Sequence, residues 1–211
     1  MRGPNRERKQ ARREPFLDPR PFVLIVCEGE KTERQYFEEF ARHHKNALIK
    51  VKVAKETGVP FSLVECARDY KQEIDQQAKN LKDQNIAYDS VWCVFDIDEH
   101  PRVPDARCMA AANGIQLAIS NPCFELWLIL HLRQSPGPQD RHAMQALLKT
   151  LDSNYNENVK HVDFRRYVSG YEQAVRLAKQ LKATAAVAGT PGHNPTTNVY
   201  ELTELILSGR Q

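Results

Sequence analysis

Short apolar runs of strand length alternate with stretches of helical periodicity through the first 132 residues of the chain. PFVLIVCEG is continuously apolar until a glutamate and a glycine stop it, which predicts a strand buried on both faces of a parallel sheet. A helix should follow at once, with Thr32 and Gln35 spaced as a capping box and Tyr36, Phe37 and Phe40 on one face. ALIKVKV alternates, with Ile49, Val51 and Val53 on one side and Lys50 and Lys52 on the other, and predicts a strand near a sheet edge. From Ser62, paired with Glu65 as a second capping box, charged and amide residues continue to Gln84 as in an exposed crossover helix. SVWCVF is the next strand, and it ends abruptly in DIDEHP.

Asp105 to Asn113 predicts a short helix closed by Gly114, and IQLAIS a fourth parallel strand with Ile115, Leu117 and Ile119 on one face. Asn121 then stands as a cap, Pro122 as the first helical residue, and FELWLILHL as a helix so apolar that it must be buried against the sheet. Helices are also predicted over His142 to Leu151, Tyr171 to Ala188 and Val199 to Leu207, with QSPGPQD and GTPGHNPTT as loops. The resulting fold class is α/β: a mostly parallel central sheet flanked by helices, with a helical C-terminal portion. Residues 1–20 read as a flexible basic arm, 21–132 as the α/β core and 133–211 as the helical portion packed on it.

Composition changes this picture in one respect. Over 211 residues the net charge is only +3, too little to make the whole molecule a general attractor of nucleic acid. Residues 1–20, however, hold seven basic and three acidic side chains, so the arm carries +4 and the remainder −1. Apolar runs are too short for a membrane span or an export signal. The five cysteines lack paired spacing and mostly sit among apolar neighbours, so a reducing cytoplasmic setting is expected, with no membrane partner.

Candidate chemistry lies where strands end. In an open parallel sheet ligands gather beyond the carboxyl ends of the strands, and there Glu28 follows the first strand while Asp96 and Asp98 follow SVWCVF. Residues 68 positions apart converge if those strands are neighbours; Asp98 shares the direction of Asp96 only if strand geometry persists through Ile97. Carboxylates so placed repel unless a hard cation such as Mg²⁺ joins them, which would point to phosphoryl transfer. The plainer alternative is that acids in loops and first helical turns are solvated and favour the helix dipole. Nearby, Lys31 can meet a phosphate, Glu30 can act through water, and His100 can shuttle a proton. Glu125, in the first turn of the apolar helix, either joins the site as a second-metal ligand or bonds the amides of its own helix. Arg165, Arg166 and Lys160, among Tyr155, Phe164, Tyr167 and Tyr171, form a basic and aromatic patch able to hold phosphates, or else fill ordinary surface and core roles. No Walker or dinucleotide glycine pattern, zinc spacing or nucleophile elbow is present.

VCEGEKTERQYF followed by VFDIDEH resembles a Toprim domain, with its glutamate and glycine after one strand and its Asp-x-Asp after another. With SNPCFELWLILH, YEQAVRLAKQL and NPTTNVYEL, the combination resembles the RloB-like family of bacterial defence proteins across roughly residues 20–207. That resemblance implies a Toprim-like nuclease of antiphage and abortive-infection systems, working on nucleic acid with Mg²⁺ or Mn²⁺ beside an ATPase partner. Glu28 then matches the Toprim glutamate, Gly29 its glycine, and Asp96 and Asp98 the metal-binding pair, while Asn121 and Glu125 fall in the family's Asn-Pro-Cys-Phe-Glu stretch. Non-catalytic binding or adaptor duty in a defence complex, chemistry on a small phosphorylated substrate, and self-association are left open at this level.

Overall fold

A computed structural model describes residues 21–29, 31–45, 48–53, 59–97, 102–155 and 162–208. The basic arm, Glu30, Asp98, Glu99, His100 and Lys160 lie outside the described residues.

Strand β1 (Phe22–Cys27) leads into helix α1 (Thr32–His44), edge strand β2 (Leu48–Val53) and the long helix α2 (Pro60–Leu81). Strand β3 (Ser90–Asp96), α3 (Val103–Ala112), β4 (Gln116–Asn121) and α4 (Glu125–Leu132) complete the α/β alternation. Helices α5 (Arg141–Leu151) and α6 (Tyr171–Val187), the two-residue strand β5 (Thr196–Thr197) and α7 (Val199–Ser208) follow. The sheet order is β2-β1-β3-β4-β5, parallel except for β5, which pairs antiparallel with β4.

Strand alternation divides the core in two. Val23, Ile25 and Cys27 of β1, with Trp92 and Val94 of β3, face a layer built from α1 and α4, outside which α5, α6 and α7 add their apolar stripes. Leu24 and Val26, with Cys93 and Phe95, face α2 and α3. Burial on both faces explains why β1 and β3 are continuous apolar runs rather than alternating ones. Helix α4 is enclosed as its composition demands, Leu126 through Leu130 all being buried; each large apolar side chain so enclosed contributes on the order of 2 kcal/mol.

Several local expectations are corrected. Thr32 is the first helical residue of α1 rather than its cap, and its buried hydroxyl has no hydrogen-bond partner among the described residues, while Gln35 accepts from the Val162 amide at 3.0 Å. Helix α2 begins at Pro60, two residues before Ser62, because proline's missing N–H and fixed φ suit a first helical position. Asn121 ends β4 instead of capping α4, and its side-chain amide donates to the Gly192 carbonyl at 2.9 Å. The Asn121–Pro122 peptide is cis and α4 starts three residues beyond that proline. Strand β5, expected as loop, is held by its pairing with β4 and by the Ser120 and Thr197 hydroxyls at 2.9 Å.

One close approach predicts a stability effect. A Cβ on Gly170, just before α6, would overlap the backbone carbonyl of His131 at the end of α4. Since that carbonyl is main chain of a buried helix, Gly170→Ala should cost about 1–3 kcal/mol, read as a lower urea midpoint with an unchanged m-value.

Candidate active site at the carboxyl ends of the strands

Helix α1 carries the chain from β1 outward to β2 on one face, whereas α3 carries it from β3 to β4 on the other. The crevice between β1 and β3 is therefore the topological switch point, where open α/β sheets bind ligands. Both acidic segments end there. Cys27 registers against Val94, and the Glu28 amide prolongs the ladder by donating to the Val94 carbonyl at 3.0 Å.

Alternation aims the central carboxylate. Trp92, Val94 and Asp96 share one face of β3, so Asp96 points under α1 and α4. There it is 8% exposed, and its carboxyl is held well above the usual carboxylate range. Burial is the first cause, followed by the negative fields of Glu33 and Glu125; Glu28 adds a smaller push and Arg141 opposes them. The Arg141 guanidinium, at the first position of α5, donates to Asp96 Oδ2 at 3.2 Å. Arg141 is placed there by an unambiguous helix start, the Asp140 carboxylate accepting from the Ala143 amide at 2.8 Å.

Glu33 and Glu125 both enter from first helical turns. The Glu33 carboxylate rests against Gly29, where a Cβ would collide with it, so glycine is the side chain that lets this loop lie beside it. Glu125, 3% exposed, accepts a hydrogen bond from the Tyr155 hydroxyl at 2.6 Å and a longer one from Gln145 Nε2 at 3.4 Å. Those donors offset the cost of a buried carboxylate. Glu125 thus bonds side chains that follow its own helix, and its field reaches Asp96 at the strand end. Cys123 lies against the same group; burial, then Glu125 and Asp96, push its thiol up, which makes it an inert side chain rather than a nucleophile.

The structure thus brings Glu28, Asp96 and Glu125 together and adds Glu33 and Arg141. Lys31 is exposed at the N-cap of α1 beside them. Asn121 serves the β4-to-loop connection described above. Arg165 and Arg166 are elsewhere. Arg165 pairs with Asp163 at 2.9 Å beside Glu39, more than a helical turn along α1 from Glu33, and Arg166 holds the buried Asp152 carboxylate at 3.1 Å. Their aromatic neighbours Tyr155, Phe164, Tyr167 and Tyr171 are buried, so of the two readings of this patch these rings take the core one. Arg141 and Gln145 were not legible as site residues, and Tyr155 was read only as part of the basic and aromatic patch, because nothing in their spacing announces a partner on another element.

The groups gathered here are carboxylates, the donor type that hard divalent cations take, and the negative fields of Glu33 and Glu125 add to burial in holding the Asp96 carboxyl up. Among the described residues, no three His, Cys, Asp or Glu side chains are arranged to hold a metal ion as they stand.

The fold is α/β, a mostly parallel sheet with helices on both faces and acidic side chains gathered at its switch point. The chain belongs to the RloB-like family, whose model, described as RloB-like protein, matches residues 23–206. That membership supports a role in defence against phage. No curated protein and no solved structure matches the chain. Among the described residues no helix is long and apolar enough to cross a membrane.

Proposed function

We propose that this protein is a metal-dependent nuclease of prokaryotic antiphage defence, built on a Toprim-like core and hydrolysing phosphodiester bonds of DNA or RNA in the cytoplasm. The observation that carries the reading is the buried Asp96 carboxylate at the switch point, beside Glu28 of the neighbouring strand and in the field of Glu33 and Glu125. Glu28 and Asp96, with Asp98 from the segment that follows, are the groups that would hold Mg²⁺ or Mn²⁺. When bound, that ion supplies Lewis-acid polarisation of the phosphodiester and a water of lowered pKa.

The chain's own side chains do the rest. Glu33, fixed against Gly29, is placed to take a proton from water or give one to a leaving oxygen. Glu125, oriented by Tyr155 and Gln145, keeps negative charge beside Asp96. Arg141 balances Asp96 when no cation does and is close enough to turn to a substrate phosphate. The basic arm adds non-specific attraction for a polyanion that the near-neutral body lacks, and an ATPase partner would license turnover.

The test is cleavage of single- and double-stranded DNA and RNA with Mg²⁺ or Mn²⁺, for the parent beside Glu28→Gln and Asp96→Asn, with and without proteins recovered from the native host. Cleavage that persists in both variants would overturn the assignment. Gly29→Ala supplies a subtler check: the new methyl displaces the Glu33 carboxylate, the end of a flexible side chain, rather than main chain. The variant should melt within a few degrees of the parent yet cleave roughly tenfold to a hundredfold more slowly.

A second reading, a non-catalytic nucleic-acid-binding or adaptor subunit, is favoured by the ion pair of Arg141 with Asp96, which leaves the carboxylate neutralised without a metal. It predicts salt-sensitive binding with no turnover and no effect of Asp96→Asn.

A further inference from the structure

On the far side of the β3 and β4 ends from the acidic crevice lies a cavity of about 460 Å³ that nothing above uses. Ile97, the residue directly after Asp96, forms part of its wall, with Pro191 of the loop before β5 and Ala186 of α6. Its volume falls within the range of small-molecule sites, and its surface is largely apolar with few polar groups.

Those polar groups are specific. Arg107 projects from the exposed face of α3, and its guanidinium makes no ion pair or hydrogen bond among the described residues. Lys182 stands across the cavity on α6, but Glu201 accepts its charge-assisted hydrogen bond, so the cation available to a ligand is Arg107. Thr196 lines the wall at 8% exposure, and its hydroxyl has no hydrogen-bond partner among the described residues. A hydroxyl without a partner on a largely buried residue of a cavity wall is a place where a ligand atom completes the bonding. Arginine presents a planar fork that matches a phosphate in two parallel hydrogen bonds.

We infer that this cavity takes one nucleotide unit, its base and sugar against Ile97, Pro191 and Ala186, its phosphate on Arg107, and a polar edge on the Thr196 hydroxyl. A flat apolar body with one dianionic end answers both the lining and the unpaired cation, whereas a purely apolar ligand would leave Arg107 and Thr196 unused. The proposal rests on the nuclease reading for its meaning: chain adjacency of Ile97 and Asp96 sets the bound unit next to the crevice, as a subsite flanking the scissile phosphate.

Its test needs no turnover. With EDTA present, the full chain is titrated calorimetrically with the four ribonucleoside 5′-monophosphates, with adenosine, with inorganic phosphate, and with a 5′-phosphorylated single-stranded hexanucleotide. At least one monophosphate should bind, with adenosine and inorganic phosphate each about tenfold weaker or worse. Arg107→Glu should weaken the monophosphate by about tenfold or more, and Ala186→Trp, an exposed position on α6, should abolish binding by filling the space. Both replacements are at exposed positions, so circular dichroism melts should match the parent. Tighter binding of the hexanucleotide identifies a polymer subsite, and equal or weaker binding a free-nucleotide site. Failure of every monophosphate to bind, or binding indifferent to Arg107→Glu and Ala186→Trp, would overturn the inference. Asp96→Asn keeps the two readings apart, since it should stop cleavage while nucleotide binding without metal is unchanged.

Discussion

Asp96→Asn is expected to lower metal-dependent cleavage by at least about a hundredfold while leaving the protein as stable as its parent or more so at neutral pH. The rate effect follows from the proposed chemistry: a metal's stabilisation of the transition state is worth several kcal/mol, and about 1.4 kcal/mol is a factor of ten. The stability effect follows from the surroundings. Asp96 sits in a buried pocket with Glu33, Glu125 and Glu28 pushing its carboxyl upward against the pull of Arg141. A carboxyl whose folded pKa is raised above its unfolded value contributes stability that is complete below the unfolded pKa, near 4, and is lost as pH rises through the folded one. Ionised Asp96 is therefore a burden near neutrality, whereas asparagine is neutral at every pH and its oxygen can still accept from Arg141 at the position Oδ2 now holds. Urea midpoints measured from pH 4 to 8 should show the variant gaining on the parent as pH rises. Added Mg²⁺ or Mn²⁺ should raise the melting temperature of the parent and not that of Asp96→Asn. A variant that cleaves at the parent's rate, or is stabilised by the metal to the same degree, would remove Asp96 from the site.

The parts of the fold that could be read in advance are those set by burial. β1 and β3 are apolar on both faces because both faces are covered, and α4 is apolar all round because the sheet and the helices on its own face enclose it. Glu28 and Asp96 were legible for the same reason: a carboxylate directly after such a run must stand at the strand's carboxyl end. Chain ends of helices were less readable. Thr32 and Ser62 carry capping-box spacing, yet Thr32 is drawn into the first turn of α1 and Pro60 starts α2 early, so tertiary packing and proline geometry override the local signal. Pro122 looked like a first helical residue, but the chain turns through it and starts α4 at Glu125. β5 is two residues long, below what any hydrophobic pattern marks, and exists because Thr196 and Thr197 find partners on Asn121 and Ser120. Arg141 is the instructive omission. Its neighbour Asp140 marks a helix start, but the partner that gives Arg141 meaning lies 45 positions earlier, and only the packing of α5 beside the strand ends brings them together.

Acidification between pH 6.5 and pH 4 should destabilise the parent through a single buried imidazole, His131, by about 3 kcal/mol over the whole window. His131 is 4% exposed on the inner helix α4, and burial lowers its pKa from the ordinary 6.5 to about 4. Its Nδ1 lies 2.8 Å from the Trp127 carbonyl, which can only accept, so the ring proton sits on Nδ1 and Nε2 accepts from the Tyr36 hydroxyl at 3.3 Å. Trp127, Tyr167 and Tyr171 enclose the ring, which gives an added proton no carboxylate partner on any of those neighbours. The sign is fixed by linkage: the unfolded chain takes up the proton near pH 6.5 and the folded one only near 4, so stability is full above 6.5 and drains away as pH falls toward 4. Asp96 works in the opposite direction, gaining on acidification, which makes the total curve a sum of opposed contributions. A difference measurement separates them. His131→Asn retains an N–H for the Trp127 carbonyl, cannot titrate, and leaves a small cavity, so it should be less stable at pH 7 but lose about 3 kcal/mol less on going to pH 4. Urea titrations of both proteins at half-unit pH steps give the two curves; parallel curves would show that His131 is protonated as readily in the folded protein as in the unfolded chain.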